Sequence, residues 1–349
     1  MKIAHFGDTH IRNLKYHDVY RDVFDQIYEV LRQEAPDYIV HCGDIAHTKT
    51  QLSPEYFDLA GDFLRKLADI APTHVILGNH DGNLKNSSRQ DAITPIVDAL
   101  GHSNLFLHKY AGEVPLKDGF SLNVLSVFDR ENWVRPNKEN KVNIALYHGS
   151  ISGCKTDLGW RMNEGEDEVK IFTDHDFSML GDIHRRQSLD DDGRVRYCGS
   201  TVQQNFGETD DKGFLIWDIE DRDNFVCREI TIPNPKPFIT INLTPAGRMP
   251  KNLKVPDGAR LRLVATSNVS IDKVRRATDI AKRRFSPITV TFTNKATSSA
   301  PDAPPADMVL DDLRDINIQE RFIKQYLEDY NLADGLLQRV LDLNRHYNK

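Results

Sequence analysis

The sequence has no hydrophobic run of about 18 uncharged residues, which a membrane-spanning helix requires. Its beginning is polar and lacks the apolar core of a secretory signal, so we expect a cytoplasmic protein that does not enter membranes.

Cysteine is also scarce. The four cysteines are far apart and form no Cys-x-x-Cys pair, which argues against a disulfide framework or a thiolate zinc site. A phosphate-binding Gly-x-x-x-x-Gly-Lys-Ser/Thr loop is absent, so any dependence on ATP must come from another polypeptide.

The composition is that of a folded globular protein. The chain has 349 residues, of which 39% are hydrophobic and 28% charged. The net charge is −7, but it is unevenly distributed: residues 248–295 contain twelve Lys or Arg and three acidic residues. This segment therefore carries +9 and the rest of the chain −16. A basic surface on an otherwise acidic protein is a candidate contact for a polyanion.

Five short apolar runs in the first 185 residues are each followed by Gly, Asp, Asn or His, as expected for buried strands that end in turns. Apolar residues at helical spacing separate the first three runs, which predicts a parallel sheet with crossover helices. Strand-rich sequence from about 120 to 230 predicts a second sheet packed on the first. We expect a core domain at 1–232, a small α+β domain at 233–296, a linker at 297–308 and a helical segment at 309–349.

Polar side chains with metal-binding capacity follow all five runs. Because ligands collect at the carboxyl ends of parallel strands, we expect these side chains to meet. Oxygen and imidazole donors without thiolates suit manganese, magnesium, iron or zinc, and there are too many donors for one ion. The candidate donors are Asp8, His10, Asp44, Asn79, His80, His148, Asp182 and His184.

These motifs resemble those of the calcineurin-like metallophosphoesterases. Within that superfamily, His47 and the segments at 197–200, 206–208 and 212–214 resemble SbcD-type DNA repair nucleases, and especially the recombination nuclease subunits of T-even-like phages. The resemblance implies a four-layer α/β/β/α sandwich, a small capping domain and a C-terminal helical tail. The motifs that carry it are Gly7-Asp8-Thr9-His10, Gly43-Asp44, Gly78-Asn79-His80-Asp81, His148-Gly149 and Gly181-Asp182-Ile183-His184.

The resemblance also implies roles for individual residues. His80 would be the general acid, and His47 would orient or stabilise the phosphate. A structural role beside Asn79 is the alternative for His80. Asp81 would orient a histidine or cap its turn. Two divalent ions would be bound, the first by Asp8, His10, Asp44 and His184, and the second by Asp44, Asn79, His148 and Asp182.

One ligand departs from the family pattern, because the superfamily usually has a histidine where this chain has Asp182. A third carboxylate makes the site harder and more negative, which favours manganese, with magnesium as the alternative, over zinc.

The predicted activity is that of a manganese-dependent DNA nuclease subunit, acting 3′ to 5′ on duplex ends and endonucleolytically on single strands. Phosphate contacts of the basic segment would bind DNA without reading its sequence. The rival functions are a phosphatase or nucleotide phosphodiesterase, and a catalytically weak scaffold. The candidate DNA-binding residues are Arg260, Arg262, Lys273, Arg275, Arg276, Lys282, Arg283 and Arg284.

Two protein partners are expected. Apolar stripes at 322–330 and 336–343 predict two amphipathic helices, which the resemblance assigns to docking on an SbcC-like SMC-type ATPase. Packing on the protein's own domain is the alternative. A homodimer is expected from the family.

Trp133, Trp160 and Trp217 are predicted to be packing residues, with substrate contact as the alternative for Trp160.

Overall fold

The computed structural model describes residues 1–295, 320, 323 and 335–347. Two six-stranded sheets lie face to face and a three-stranded sheet follows them in the chain. The helices are α1 (His17–Glu34), α2 (Pro54–Ile70), α3 (Thr94–Leu100), α4 (Ile271–Phe285) and α5 (Leu336–Tyr347). The strands are β1 (Lys2–Phe6), β2 (Tyr38–Cys42), β3 (Thr73–Ile76), β4 (Leu105–His108), β5 (Gly112–Pro115), β6 (Phe120–Leu125), β7 (Val142–His148), β8 (Phe177–Gly181), β9 (Gln187–Ser188), β10 (Val195–Tyr197), β11 (Gly213–Ile219), β12 (Phe225–Thr231), β13 (Phe238–Asn242), β14 (Arg260–Ala265) and β15 (Thr289–Asn294).

The first sheet has the order β12-β11-β1-β2-β3-β4. Strands β1 to β4 are parallel, as the alternation of apolar runs and helical patterns predicts, while β11 and β12 add an antiparallel edge. Helices α1 and α2 cover its outer face, because their apolar residues recur every three or four positions and form one stripe each. Ser53 caps α2 by accepting a hydrogen bond from the Tyr56 N–H, and Pro54 occupies the first helical turn.

The second sheet has the order β5-β6-β7-β8-β10-β9 and packs its inner face on the first sheet. Apolar side chains of β1, β2, β6, β7, β8 and β11 form this inner core, with Trp217 fully buried in it. In the described residues, the outer face of this sheet is covered by loops and a 3-10 helix at Val169–Phe172, so the fourth layer is thin. The sandwich architecture predicted from sequence is therefore present.

The third sheet, β13-β14-β15, is parallel and packs on α4 around its own small core. We call residues 238–294 the cap. The cap contains three strands and one helix, as the predicted α+β character of this segment requires, whereas the division into domains at residue 233 stays a prediction. The linker at 297–308 and the first predicted tail helix lie outside the described residues apart from positions 320 and 323. Helix α5 matches the second tail helix.

The structure bears on two expectations drawn from composition, one about the cysteines and one about membrane-spanning helices. Each of the four cysteines is a free thiol, and Cys42, Cys154 and Cys198 are buried. Within the described ranges, no helix combines the length and the apolar character needed to cross a bilayer.

Candidate metal centre

The candidate ligands lie in loops at one edge of the two sheets. Asp8 and Asp44 follow β1 and β2, Asn79 follows β3, His148 ends β7 and Asp182 follows β8. These strands are parallel within each sheet, so their carboxyl ends bring the loops together. The predicted convergence of distant motifs is thus what the topology produces.

Three groups of donor atoms lie close enough to hold a cation, with all atoms of a group within 4.8 Å of one another. Asp8 belongs to two of the groups and so does Asp44, which means that neighbouring groups share carboxylates. Sharing of this kind is what a two-ion site requires. The groups are Asp8, His10 and His184; Asp8, Asp44 and His148; and His10, Asp44 and His80.

The backbone of these loops is held in an unusual conformation. Asp8, His10, Asp44 and Asp182 have φ values of 53°, 47°, 58° and 95°, in the left-handed region that side chains with a Cβ rarely adopt. Each such residue costs of order 1–3 kcal/mol, and such costs concentrate at functional sites. Here they aim four predicted ligands into one cleft.

A glycine permits the β2 and β3 loops to approach each other. A Cβ added at Gly78 would lie 2.2 Å from Asp44 Oδ1 and 2.5 Å from the Asp44 backbone nitrogen. Neither distance is sterically possible, so glycine is required for Asp44 to occupy its position.

Asp81 ties these same loops together. Its carboxylate accepts hydrogen bonds from the backbone N–H groups of Asp44, Ala46 and Gly78 at 2.8, 2.8 and 3.0 Å. These three bonds support the turn-capping role of Asp81. Because Asp81 is fully buried, loss of these three bonds would leave backbone donors unsatisfied.

His148 carries a direct indication that a cation belongs here. Its Nδ1 donates to the Cys42 carbonyl at 2.7 Å, which leaves Nε2 facing inward without a hydrogen-bond partner. Nε2 lies 3.4 Å from Asp44 Oδ1 and 3.7 Å from Asp182 Oδ1. Burial lowers the pKa of His148, but these carboxylates outweigh it and raise the pKa well above its ordinary value. A divalent cation would neutralise the same two carboxylates, so these residues fit a metal.

A second indication lies between His10 and His184, whose Nε2 atoms are 2.9 Å apart. His184 Nδ1 donates to Glu208 Oε1 at 2.9 Å, which directs the other nitrogen of its ring toward the cleft. Burial lowers the pKa of His184, and Glu208 together with Asp8 raises it above its ordinary value. Two imidazoles that converge beside Asp8 form a donor set typical of a divalent transition metal.

Glu208 is a partner of His184 that the sequence motifs do not identify. It is 8% exposed and also accepts from the Gln204 backbone N–H at 3.0 Å. Metal-bound histidines usually donate their second N–H to such a carboxylate, which sets the ring orientation. The segment 206–208 contributed to the family resemblance, but nothing in its spacing indicated which histidine it would contact.

Asn79 and Asp182 face each other on the His148 side. The Asn79 amide donates to Asp182 Oδ1 at 3.1 Å, which leaves the Asn79 oxygen available as a ligand. The Asp182 backbone N–H lies 3.0 Å from both oxygens of Asp8. Among residues 1–295, none of the three compact donor groups includes Asp182, so its assignment as a ligand stays a prediction.

His80 lies at the rim of the cleft and is exposed to solvent. Its backbone N–H donates to Asp44 Oδ1 at 2.8 Å and its Nδ1 donates to the His47 carbonyl at 2.7 Å. His80 Nε2 is therefore the atom left to meet a substrate. His47 contacts His80 through its backbone, and burial together with nearby Arg12 lowers the pKa of the His47 side chain to about 4.

The candidate DNA-binding residues divide into two sets. Arg260 is 5% exposed and its guanidinium stacks over the Tyr16 ring at 4.1 Å, so it packs the cap on the core. Arg262 stacks over Phe206 at 4.3 Å, in the loop that carries Glu208. Because Arg260 is buried in its contact with Tyr16, the proposed DNA surface does not include it. The other candidates are exposed along α4: Lys273, Arg275, Arg276, Lys282, Arg283 and Arg284.

Two of the three tryptophans pack as predicted. Trp217 is fully buried, and half-buried Trp133 donates its Nε1–H to the Ser126 carbonyl at 2.8 Å. Trp160 does not pack: its residue is 60% exposed. The packing prediction is therefore wrong for Trp160.

A protein-family comparison gives a match over more than half of the chain. Residues 1–192 match the family model of calcineurin-like phosphoesterases. "Uncharacterized protein R555" of Acanthamoeba polyphaga mimivirus is 31% identical over 98% of this chain, yet the chain spans only 26% of that relative's length. "Putative phosphoesterase 244L" of Invertebrate iridescent virus 6 is 28% identical, covering 62% of this chain and 75% of the relative. A solved structure, GAP50, the anchor in the inner membrane complex of Plasmodium, aligns with 66% of this chain and 89% of its own at 13% identity and a TM-score of 0.40.

Proposed function

Because the chain belongs to the calcineurin-like phosphoesterase family, we propose that it is the nuclease subunit of an SbcD-type DNA repair or recombination complex. It cleaves phosphodiesters with manganese, or alternatively magnesium, acting 3′ to 5′ on duplex ends and endonucleolytically on single strands. The observation that carries the proposal is the set of donor groups that share Asp8 and Asp44.

The proposed ligand sets are Asp8, His10, Asp44 and His184 for one cation, and Asp44, Asn79, His148 and Asp182 for the other. Bound divalent cations lower the pKa of a water nucleophile and neutralise charge on the phosphate. The chain's own contribution is to hold the donors in fixed positions. The Glu208 carboxylate orients His184, the Cys42 carbonyl orients His148, and Asp81 holds the Asp44 loop.

His80 is the proposed general acid. Its Nδ1–H is engaged by the His47 carbonyl, so a protonated His80 presents its Nε2–H to the leaving 3′ oxygen. The exposed position of His80 beside a cavity of about 660 Å³ leaves room for a polynucleotide on this side of the cleft. Lys49, which donates to the Asn79 carbonyl at 2.9 Å, and Lys85 line the same cavity and add positive charge to it.

The basic face of α4 supports DNA over a small phosphate ester as the substrate. Six exposed cations on one helix of the cap suit the repeated phosphates of a nucleic acid. The cap is joined to the metal centre, since Arg262 stacks on Phe206 and Gln203 hydrogen-bonds the Phe238 backbone, both within the loop that leads to Glu208.

The partners belong to this proposal as well. The segment 309–349 would dock on the coiled coil of an SbcC-like ATPase, and the core would form a homodimer. Helix α5 carries exposed Leu336 and Leu343, at 44% and 55%, as an apolar surface available for that docking.

The proposal is tested by digesting end-labelled duplex and single-stranded DNA over a range of manganese concentrations, beside bis-p-nitrophenyl phosphate and a phosphate monoester. We expect DNA cleavage that EDTA abolishes and that an Asp44→Asn variant lacks. Hydrolysis of the small esters with intact DNA would identify a phosphatase or a nucleotide phosphodiesterase instead. DNA binding without cleavage at any metal concentration would identify a scaffold.

A further inference from the structure

A short hairpin beside the metal centre exposes two large apolar side chains. A bridge between Lys155 and Arg161 closes it, and the Thr156 N–H donates to the Trp160 carbonyl at 2.9 Å. Gly159 forms its turn with a φ of 80°. At the tip, Leu158 is 82% exposed, the highest value among the large hydrophobic residues that the structure describes, and Trp160 is 60% exposed. Exposing this much apolar area in water is unfavourable unless a ligand covers it.

Hydrogen bonds anchor the hairpin to the segment that carries His184, a predicted metal ligand. Both carboxylate oxygens of Asp157 accept from Lys212 Nζ, at 3.0 and 3.1 Å, and the same Nζ donates to the His184 carbonyl at 2.8 Å. Lys212 is 4% exposed, so this is a buried ion pair. Gln187 adds two hydrogen bonds to the backbone of Lys155, at 2.8 and 2.7 Å. These bonds therefore fix the position of the hairpin beside the cleft.

The hairpin and the metal centre line one cavity. Asp157 and Leu158 share a space of about 300 Å³ with Asp182, His184 and Glu208. This cavity lies on the His184 side of the cleft, whereas the cavity beside His80 has a different lining. A phosphate held by the predicted ligands would place the neighbouring part of its substrate against Leu158.

The charges around the tip narrow the choice of ligand. Lys155, Arg161 and Arg185 are exposed, and Arg185 Nη1 donates to the Thr156 carbonyl at 3.4 Å. Trp160 thus lies on a hairpin whose closing residues, Lys155 and Arg161, are exposed cations. Proteins bind single-stranded nucleic acids with such a combination, the aromatic ring stacking on a base while the cations contact phosphates. A purely apolar ligand would gain nothing from the cations.

We propose that an unpaired nucleobase stacks on Trp160, with Leu158 against the neighbouring nucleotide, and that this contact presents a single-stranded segment to the metal centre. The inference rests on the proposed nuclease function and specifies which part of the substrate the hairpin binds. Stacking tolerates any base, which agrees with cleavage independent of sequence.

The test measures affinity for a fluorescein-labelled 12-nucleotide single strand by anisotropy, with EDTA present so that no cleavage occurs. Trp160→Ala should weaken binding about tenfold, since it removes one stacked base. Trp160→Phe, which keeps an aromatic face, should retain most of the affinity. Val226→Ala is the matched control, because Val226 is 56% exposed but lines a different cavity with Met1 and Lys2.

A second readout is the fluorescence of Trp160 itself, since the other two tryptophans are buried or half-buried. Single-stranded DNA should quench it in the wild-type protein and protect it from iodide. Unchanged affinity in Trp160→Ala, or equal losses in the Ala and Phe variants, would overturn the stacking contact. If the wild-type protein cleaves DNA in that case, only the hairpin inference fails, whereas an absence of DNA cleavage refutes the nuclease function.

Discussion

His184 Nδ1 and Glu208 Oε1 lie 2.9 Å apart and connect the metal centre to the loop on which the cap rests. Glu208 is buried, and burial raises its pKa, but the hydrogen bond and charge of His184, together with the charge of Lys212, outweigh burial and lower the pKa below its usual range. The carboxylate therefore stays charged and accepts the Nδ1–H, so that Nε2 of His184 faces the cleft as a potential metal ligand.

Replacing Glu208 by Gln should weaken metal binding about 10- to 100-fold, the usual cost of losing such an outer partner. A glutamine amide can present its oxygen to the His184 N–H, but it lacks the negative charge that makes the imidazole a stronger metal ligand. Isothermal titration with Mn²⁺ measures the effect, with Glu220→Gln, on the loop after β11, as the control. Wild-type affinity in Glu208→Gln would show that Glu208 does not act through His184.

Asp44→Ala should abolish cleavage and lower metal occupancy at both positions, because Asp44 belongs to two donor groups. Metal content after equilibrium dialysis gives the occupancy, and circular dichroism checks folding. The control is Asp58→Ala, an exposed carboxylate on α2. A protein that still binds two ions per chain would contradict a shared Asp44.

His80→Ala should bind both ions yet lose about 100- to 10,000-fold in turnover of ordinary DNA, the range usual for a general acid. The loss should be much smaller on an ester with a p-nitrophenolate leaving group, which departs without a proton. Steady-state rates on both substrates provide the measurement. Equal losses would assign His80 to metal binding, to which its place near His10 and Asp44 also gives access.

Asp182→His should shift metal preference from manganese toward zinc, because imidazole is a softer ligand than carboxylate. Competition between Mn²⁺ and Zn²⁺ in dialysis reports the preference directly. Asp182→Asn serves as the matched control, since it removes the charge without adding a nitrogen ligand. An unchanged preference in the His variant would exclude Asp182 from the ligands.

Glu34, at the end of α1, should contribute to stability in a pH-dependent way. Its pKa is lowered to about 2, chiefly by hydrogen bonds from Arg228 at 3.0 and 2.7 Å. The contribution is present above the unfolded pKa of about 4.3 and lost as pH falls toward 2. Glu34→Gln should cost at most about 1 kcal/mol at pH 7, because Arg228 is 41% exposed.

Urea denaturation at pH 7 and pH 3 measures that difference. The gap between wild type and Glu34→Gln should shrink at pH 3, while Asp58→Asn, in a more exposed ion pair with Arg21, should show little gap at either pH. A gap that does not change with pH would mean that Glu34 stabilises the fold by packing alone.

Much of the fold follows from local pattern. Strands precede the motifs, and helix α4 lies in the segment predicted to be α+β, because the apolar periodicity of a buried strand or helix is a local property. Strands β4 and β5 and helix α3 were not predicted, since each is short and carries little periodicity.

The amino-acid sequence by itself determined which residue types could bind metal and that they follow strands, since these facts depend on neighbours in the chain. Only the tertiary structure decided that Glu208 supports His184, that Arg260 packs against Tyr16, and that Lys212 anchors Asp157 of the hairpin beside the cleft. Each of these contacts joins residues separated by 24 to 244 positions or depends on which side chains a loop leaves exposed. Such pairings arise from the packing of whole elements, and no local spacing encodes them.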